Sequence, residues 1–219
     1  MNRAELKARI RDGINDPSEA IFTDAQLNDL IDEAAEFIVA ETSSIKRSVF
    51  VPLREGVTFY SLRGLAPDMM LPYGVSDHTR SQKLPVTSME ELDAYMQRWI
   101  DSEGPPERWF AVAWDIVGVW PKASSSGGVL RIDYYAWPRP MLDDGDQLEA
   151  VLSTHDAIVQ YAVYMGLLKQ WDGVRAVDAW KVFRGNATLA KARSGVLRVG
   201  HKSFVRNEIK FPHTIRSEE

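Results

Sequence analysis

The stretch that most constrains this chain runs from Arg108 to Lys169. It reads RWFAVAWDIVGVWP, then KASSSGG, then VLRIDYYAWPRP, and after an acidic connection THDAIVQYAVYMGLLK. In its first part Trp109, Ala111 and Ala113 alternate with Phe110, Val112 and Trp114. Both sides of such a run need cover, which predicts a strand buried on both faces. Ile116 to Trp120 continues it or pairs back on it before Pro121 stops the run. Lys122 to Gly128 holds only Lys, Ala, Ser and Gly, the composition of a flexible connection between two antiparallel strands. Val129 to Trp137 then returns as a strand with one wet face (Val129, Arg131, Asp133, Tyr135) and one core face (Leu130, Ile132, Tyr134, Ala136). The last part changes period. Ser153 or Thr154 is placed to cap a helix, Asp156 falls in its first turn, and Ile158, Tyr161, Ala162, Met165, Leu168 and Lys169 follow the helical repeat.

The chain ahead of this stretch opens with two helices. Asn2 with Glu5, and Thr23 with Gln26, fit capping boxes. Leu6, Ile10 and Ile14 line one face of the first helix. Leu27, Leu30, Ile31, Ala34, Ala35, Ile38 and Val39 give the second a broad apolar stripe out to Thr42. Ser48 to Leu53 and Val57 to Leu62, joined by Arg54-Glu55-Gly56, have the spacing of a hairpin. Residues 66–86 are rich in Pro, Gly, Ser and Asp around Met69, Met70, Leu71 and Tyr73. They read as a long loop that either packs over the sheet or meets a partner. Ser88 and Glu91 start a short helix over 88–99 that carries Leu92, Tyr95, Met96 and Trp99. Asp143, Asp144, Asp146 and Glu149 make a solvated turn rather than a calcium loop, because the twelfth position counted from Asp143 is Thr154. After Asp172-Gly173 a last helix runs from Val174 to Arg193 with Val177, Trp180, Phe183, Ala187 and Ala190 near one face, and Gly185-Asn186 is a place for it to bend or end.

The expected class is therefore α+β. Two N-terminal helices and a C-terminal helix pair (1–45 and 150–194) form a helical bundle. An antiparallel β-rich module (46–149) is inserted between them, and an extended tail (195–219) follows. The tail carries Arg198, Lys202, Arg206, Lys210 and Arg216 against three glutamates, a net +2 on a chain of net charge −5. A positive, extended, aromatic-bearing segment on an acidic body suits a groove on another protein or a phosphate backbone.

No reaction chemistry is legible. The chain has no cysteine, which removes disulfides, thiolate metal sites and a cysteine nucleophile together. Its four histidines show no ligand spacing, and no metalloprotease, nucleophile-elbow, phosphate-loop or dinucleotide motif occurs. The reading is no enzyme, no cofactor and no metal. The longest apolar helix segment is too short to span a bilayer, and the charged start of the chain does not read as an export signal. These features point to a protein made in the cytoplasm.

The succession of elements carries a resemblance. IFTDAQLNDLIDEAAEFI, VPLREGVTFYSL, a proline-rich stretch with a short helix, RWFAVAWDIVGVWP, VLRIDYYAWPRPMLDDGD and STHDAIVQYAVYMGLL follow one another as in the adaptor proteins of tailed-phage virions. More narrowly the chain resembles the podovirus head-to-tail adaptors, also called tail tubular protein A or head-tail connector proteins, over residues 1 to 185. The resemblance implies a structural virion protein at the head-tail junction that forms a homo-oligomeric ring of twelve copies and docks on the portal protein. The ring would continue the channel through which genomic DNA passes and offer a face to the tail nozzle or fibres. It also assigns portal docking to the tail, through Arg198, Lys202, Phe204, Arg206, Lys210, Phe211 and Arg216. The alternative is a DNA-binding packaging protein of the small-terminase type, with the first two helices as a helix-turn-helix. Against it stands a second helix bearing Asp24, Asp29, Asp32, Glu33 and Glu36, which phosphate would repel.

Overall fold

The structure is a computed structural model that describes residues 1–17, 21–150 and 154–196. The tail from 197 onward, and Ser153, lie outside the described residues. Helix α1 (Arg3–Ile14) starts on a complete capping box: Glu5 N donates to Asn2 Oδ1 at 2.8 Å and Asn2 N donates to Glu5 Oε2 at 3.2 Å. Helix α2 (Asp24–Thr42) starts on the second box, between Thr23 and Gln26. Each box satisfies two backbone N–H groups that a helix start otherwise leaves unpaired.

Helix α4 (His155–Lys169) is the centre of the bundle and packs against α1, α2 and α5 (Gly173–Val196). Because three helices surround it, burial on α4 does not follow one stripe. Leu167 is buried and Leu168, expected inside, is 43 % exposed. Close approach of α1 and α4 depends on two glycines: a Cβ on Gly13 would sit 2.6 Å from Val163, and one on Gly166 would sit 2.7 Å from Ile14. Thr154 precedes α4 but makes no side-chain cap. Helix α5 runs through Gly185 and Asn186 to Val196, and it packs through Ala176, Ala179, Phe183 and Ala190 while Val177 stays exposed.

The middle of the chain folds into two antiparallel sheets. Strands β1 (Lys46–Pro52), β3 (Met69–Asp77), β4 (Gln82–Leu84) and β7 (Val129–Ala136) form the first, in the order β1-β7-β3-β4. Strands β2 (Phe59–Ser61), β5 (Arg108–Ala113) and β6 (Ile116–Trp120) form the second, in the order β2-β6-β5. Strand β7 shows the alternation read from its sequence, with Leu130, Ile132, Tyr134 and Ala136 buried.

Four expectations are corrected here. Ser48–Leu53 and Val57–Leu62 do not make a hairpin: β1 pairs over its whole length with β7, and β2 pairs with β6 in the other sheet. The eight-residue β7 pairs with all seven residues of β1, more ladder than three-residue β2 could offer. Residues 66–86 are not one long loop but contain β3 and β4. Pro72 and Gly74, which made this stretch read as irregular, flank a register shift in β3 and lie where β4 does not reach. Lys122–Gly128 joins β6 to β7 across two sheets rather than within one pair. Finally, β5 is an edge strand covered on both faces only at Trp109 and Phe110, while Val112 is 43 % and Trp114 54 % exposed.

Helix α3 (Met89–Tyr95), capped by Ser88, and a 3-10 turn (Trp99–Asp101) cover the Phe110 end of the second sheet. Leu92, Trp99 and Phe110 form a small core there, separate from the main one. Gly118 on β6 lies under the Phe110 ring, which a Cβ would meet at 2.3 Å.

The main core is continuous from Leu6 and Ile10 in the helices to Leu130 and Ile132 in the first sheet. The acidic turn is part of the seam between them rather than a free solvated loop. Arg3 N donates to Asp146 O and Ala4 N to Asp144 O, and the Arg3 guanidinium donates to the carbonyls of Met141 and Leu142. Arg47 on β1 reaches Asp68 and Glu149. Among the described residues no helix is long and apolar enough to cross a membrane.

Candidate interaction surfaces

The titratable groups of the bundle hold structure together. Lys7 is nearly buried between Asp144 at 2.6 Å and Asp24 at 3.0 Å, and its hydrogen bond to Asp144 raises its pKa. Asp24 accepts from Arg11 at 2.6 Å as well as from Lys7, which lowers its pKa. His155, buried at the start of α4, lies 3.0 Å through Nε2 from the Ala150 carbonyl and 3.2 Å through Nδ1 from the Met1 amino group, and burial lowers its pKa. Tyr161 donates to Glu33 at 2.8 Å; burial first, then that carboxylate, pushes its hydroxyl up to about 12. Asp146 accepts from the Leu142 and Asp143 backbone N–H groups, closing the acidic turn and lowering its pKa. Among the described residues no three His, Asp or Glu side chains converge on a point that would hold a metal ion.

The surface is more informative. On the flank of the bundle formed by α2, α4 and α5, Phe37 stacks on Tyr161 with ring centres 5.3 Å apart. Tyr161, Phe183, Trp180 and Tyr164 continue the cluster at 4.9 to 5.4 Å. Phe37 is 40 % exposed, so this aromatic seam reaches solvent. Between α1 and α5 a groove of about 640 Å³ has Val159, Val163, Leu167 and Ala179 on its lining, with Arg9, Asp156, Arg175 and Asp178 among its polar residues. At the rim of the groove Val182 is half exposed, and beyond it α5 turns Val174 and Leu189 outward, each more than half exposed, while Trp171 ahead of it is 95 % exposed.

The β-rich part has its own open apolar side chains. Phe59 and Val112 flank the small core on the second sheet, Trp114 lies beside Arg63 in a cation–π contact, and Tyr95 and Ile100 project from the covering helix and turn. The sequence placed Trp114 in a doubly covered strand and did not find this surface. The signal was Asp115, the residue that turns β5 back into β6 and puts Trp114 at the tip. The seven tail residues assigned to portal docking, Arg198, Lys202, Phe204, Arg206, Lys210, Phe211 and Arg216, lie outside the described residues.

Among the described residues no cluster could hold a metal ion, and both the bundle and the β-rich part carry open apolar side chains. Comparison with curated proteins finds no match. The model of the SU10 adaptor protein family matches residues 1–199, which takes in every described element. The chain belongs to the SU10 adaptor protein family, and with it to the structural adaptors of the phage head-tail type.

Proposed function

We propose that this adaptor is of the podovirus head-to-tail type. Its copies close into a ring of twelve beneath the portal, continue the DNA channel, and give the tail nozzle or fibres their attachment face. The observation that carries this reading is the presence of open apolar side chains on both the helical bundle and the β-rich part. Trp171, Val174 and Leu189 belong to the bundle, and Tyr95 of α3, Val112 of β5 and Trp114 of the following turn to the β-rich part, all more than two-fifths exposed. Single exposed apolar side chains are ordinary, but where they gather on one face they mark a surface that meets a partner. A ring subunit needs at least two unlike lateral faces, because its contacts are heterologous and close by rotation, and it needs axial faces besides. The net charge of −5 fits a channel wall past which DNA must slide, since strong phosphate binding would hold the genome back.

The test is the mass of the purified full chain by light scattering, alone and after mixing with purified portal rings. Joining the portal as a closed ring is the expected result. Failure to bind portal, together with duplex DNA binding that falls steeply with salt, overturns the reading and favours a packaging protein.

A further inference from the structure

Helices α2 and α5 carry opposite charge. Helix α2 holds Asp24, Asp29, Asp32, Glu33, Glu36 and Glu41 and no Lys or Arg, a net −6 over nineteen residues. Helix α5 holds Arg175, Lys181, Arg184, Lys191 and Arg193 against Asp178 alone, a net +4 over twenty-four. Among the described residues this complementarity is used once across the two helices, where Lys191 Nζ lies 3.4 Å from a Glu41 oxygen, both side chains more than half exposed. Asp29 and Glu36 on the open side of α2, and Arg184 on α5, form no ion pair among the described residues, while Lys181 reaches only Asp178 of its own helix.

Apolar groups accompany the charges. Phe37 lies open beside Glu36 on α2, and on α5 Val174, Val177, Val182 and Leu189 are all at least half exposed. Both helices are anchored by α4 and meet each other along one edge, through Phe37 and Phe183 and through Glu41 and Lys191, which leaves the rest of their outer sides open.

We propose that the acidic open face of α2 in one copy docks on the basic, valine-bearing open face of α5 in the next. This inference rests on the ring reading and specifies its lateral contact. A chain that carries both halves of a complementary pair on two different helices matches its own copies. The two halves are unlike, so the contact is heterologous and repeats around an axis instead of stopping at a dimer. Opposed charges steer the approach and fix the register, and the exposed valines and Phe37 supply the area removed from water.

The experiment uses two full-length variants: Asp29→Lys with Glu36→Lys, which makes α2 less acidic, and Lys181→Glu with Arg184→Glu, which removes the positive charge of α5. All four side chains are exposed, so both variants keep the wild-type melting temperature. Each variant alone loses self-association by about a hundredfold, because the introduced side chains face like charge across the contact and the attraction between the two helices is weakened or lost. Mixed in equal amounts, the two restore closed rings, with copies alternating. If either variant assembles on the portal as well as the wild type does, or the mixture fails to rescue assembly, the α2–α5 contact is wrong while the ring reading stands. If the wild type itself forms no ring on the portal, the ring reading fails and this contact falls with it.

Discussion

Tyr161 shows what one side chain contributes in this bundle. Its ring lies between Phe37 and Phe183, and its hydroxyl ends on Glu33, which belongs to a helix 128 residues earlier. Replacing it with Phe keeps the ring packing and removes one hydrogen bond to a carboxylate, a loss of about 1–2 kcal/mol in urea unfolding near neutral pH. The pH dependence has a definite sign. The folded hydroxyl titrates near 12 and the unfolded one near 10.0, so the folded state holds the proton longer and stability falls as pH rises between those values. In Tyr161→Phe that fall is shallower than in the wild type, measured as unfolding free energy against pH from 9 to 12. The helical spacing placed Tyr161 inside, but it gave no sign of Glu33, since a partner so distant in sequence leaves no local pattern. The same limit applies to Arg3, whose guanidinium is held by the Met141 and Leu142 carbonyls.

Elements were legible where their causes are local. Both capping boxes, the core face of β7 and the break at Asp172-Gly173 follow from residues a few positions apart, and the structure has all three. Strand pairing follows from competition among distant partners, and there the sequence misled: β1 and β2 are neighbours along the chain and lie in different sheets. Composition misled for 66–86, where Pro72 and Gly74 mark an irregular strand rather than its absence. Helix α5 offers a prediction at this scale. Gly185 lies in mid-helix, exposed, with nothing within 4 Å of where a Cβ would be. Gly185→Ala therefore stabilises the fold by about 0.5–1 kcal/mol, read as a higher urea midpoint with an unchanged slope.

At the scale of the molecule, the described core closes without the tail: every residue of the continuous apolar cluster lies between Leu6 and Phe183. A chain lacking residues 200–219 is expected to keep the wild-type melting temperature and to lose binding to portal rings in co-sedimentation; undiminished binding would move the docking site into the body. The path of the chain between helices and sheets has a mechanical consequence. Strand β1 leaves the bundle at its first residue and β7 returns at its last, and the two ends lie side by side, with Ala136 N donating to Ile45 O at 3.1 Å. Tension applied to the sheets therefore reaches the helices through a pair of strands pulled in the same direction, with no shear between them. Load applied at β3, by contrast, crosses to β7 through their ladder in shear, so that its hydrogen bonds share the force. A coupling loaded in that geometry yields late and all at once, as a rivet does and a zipper does not.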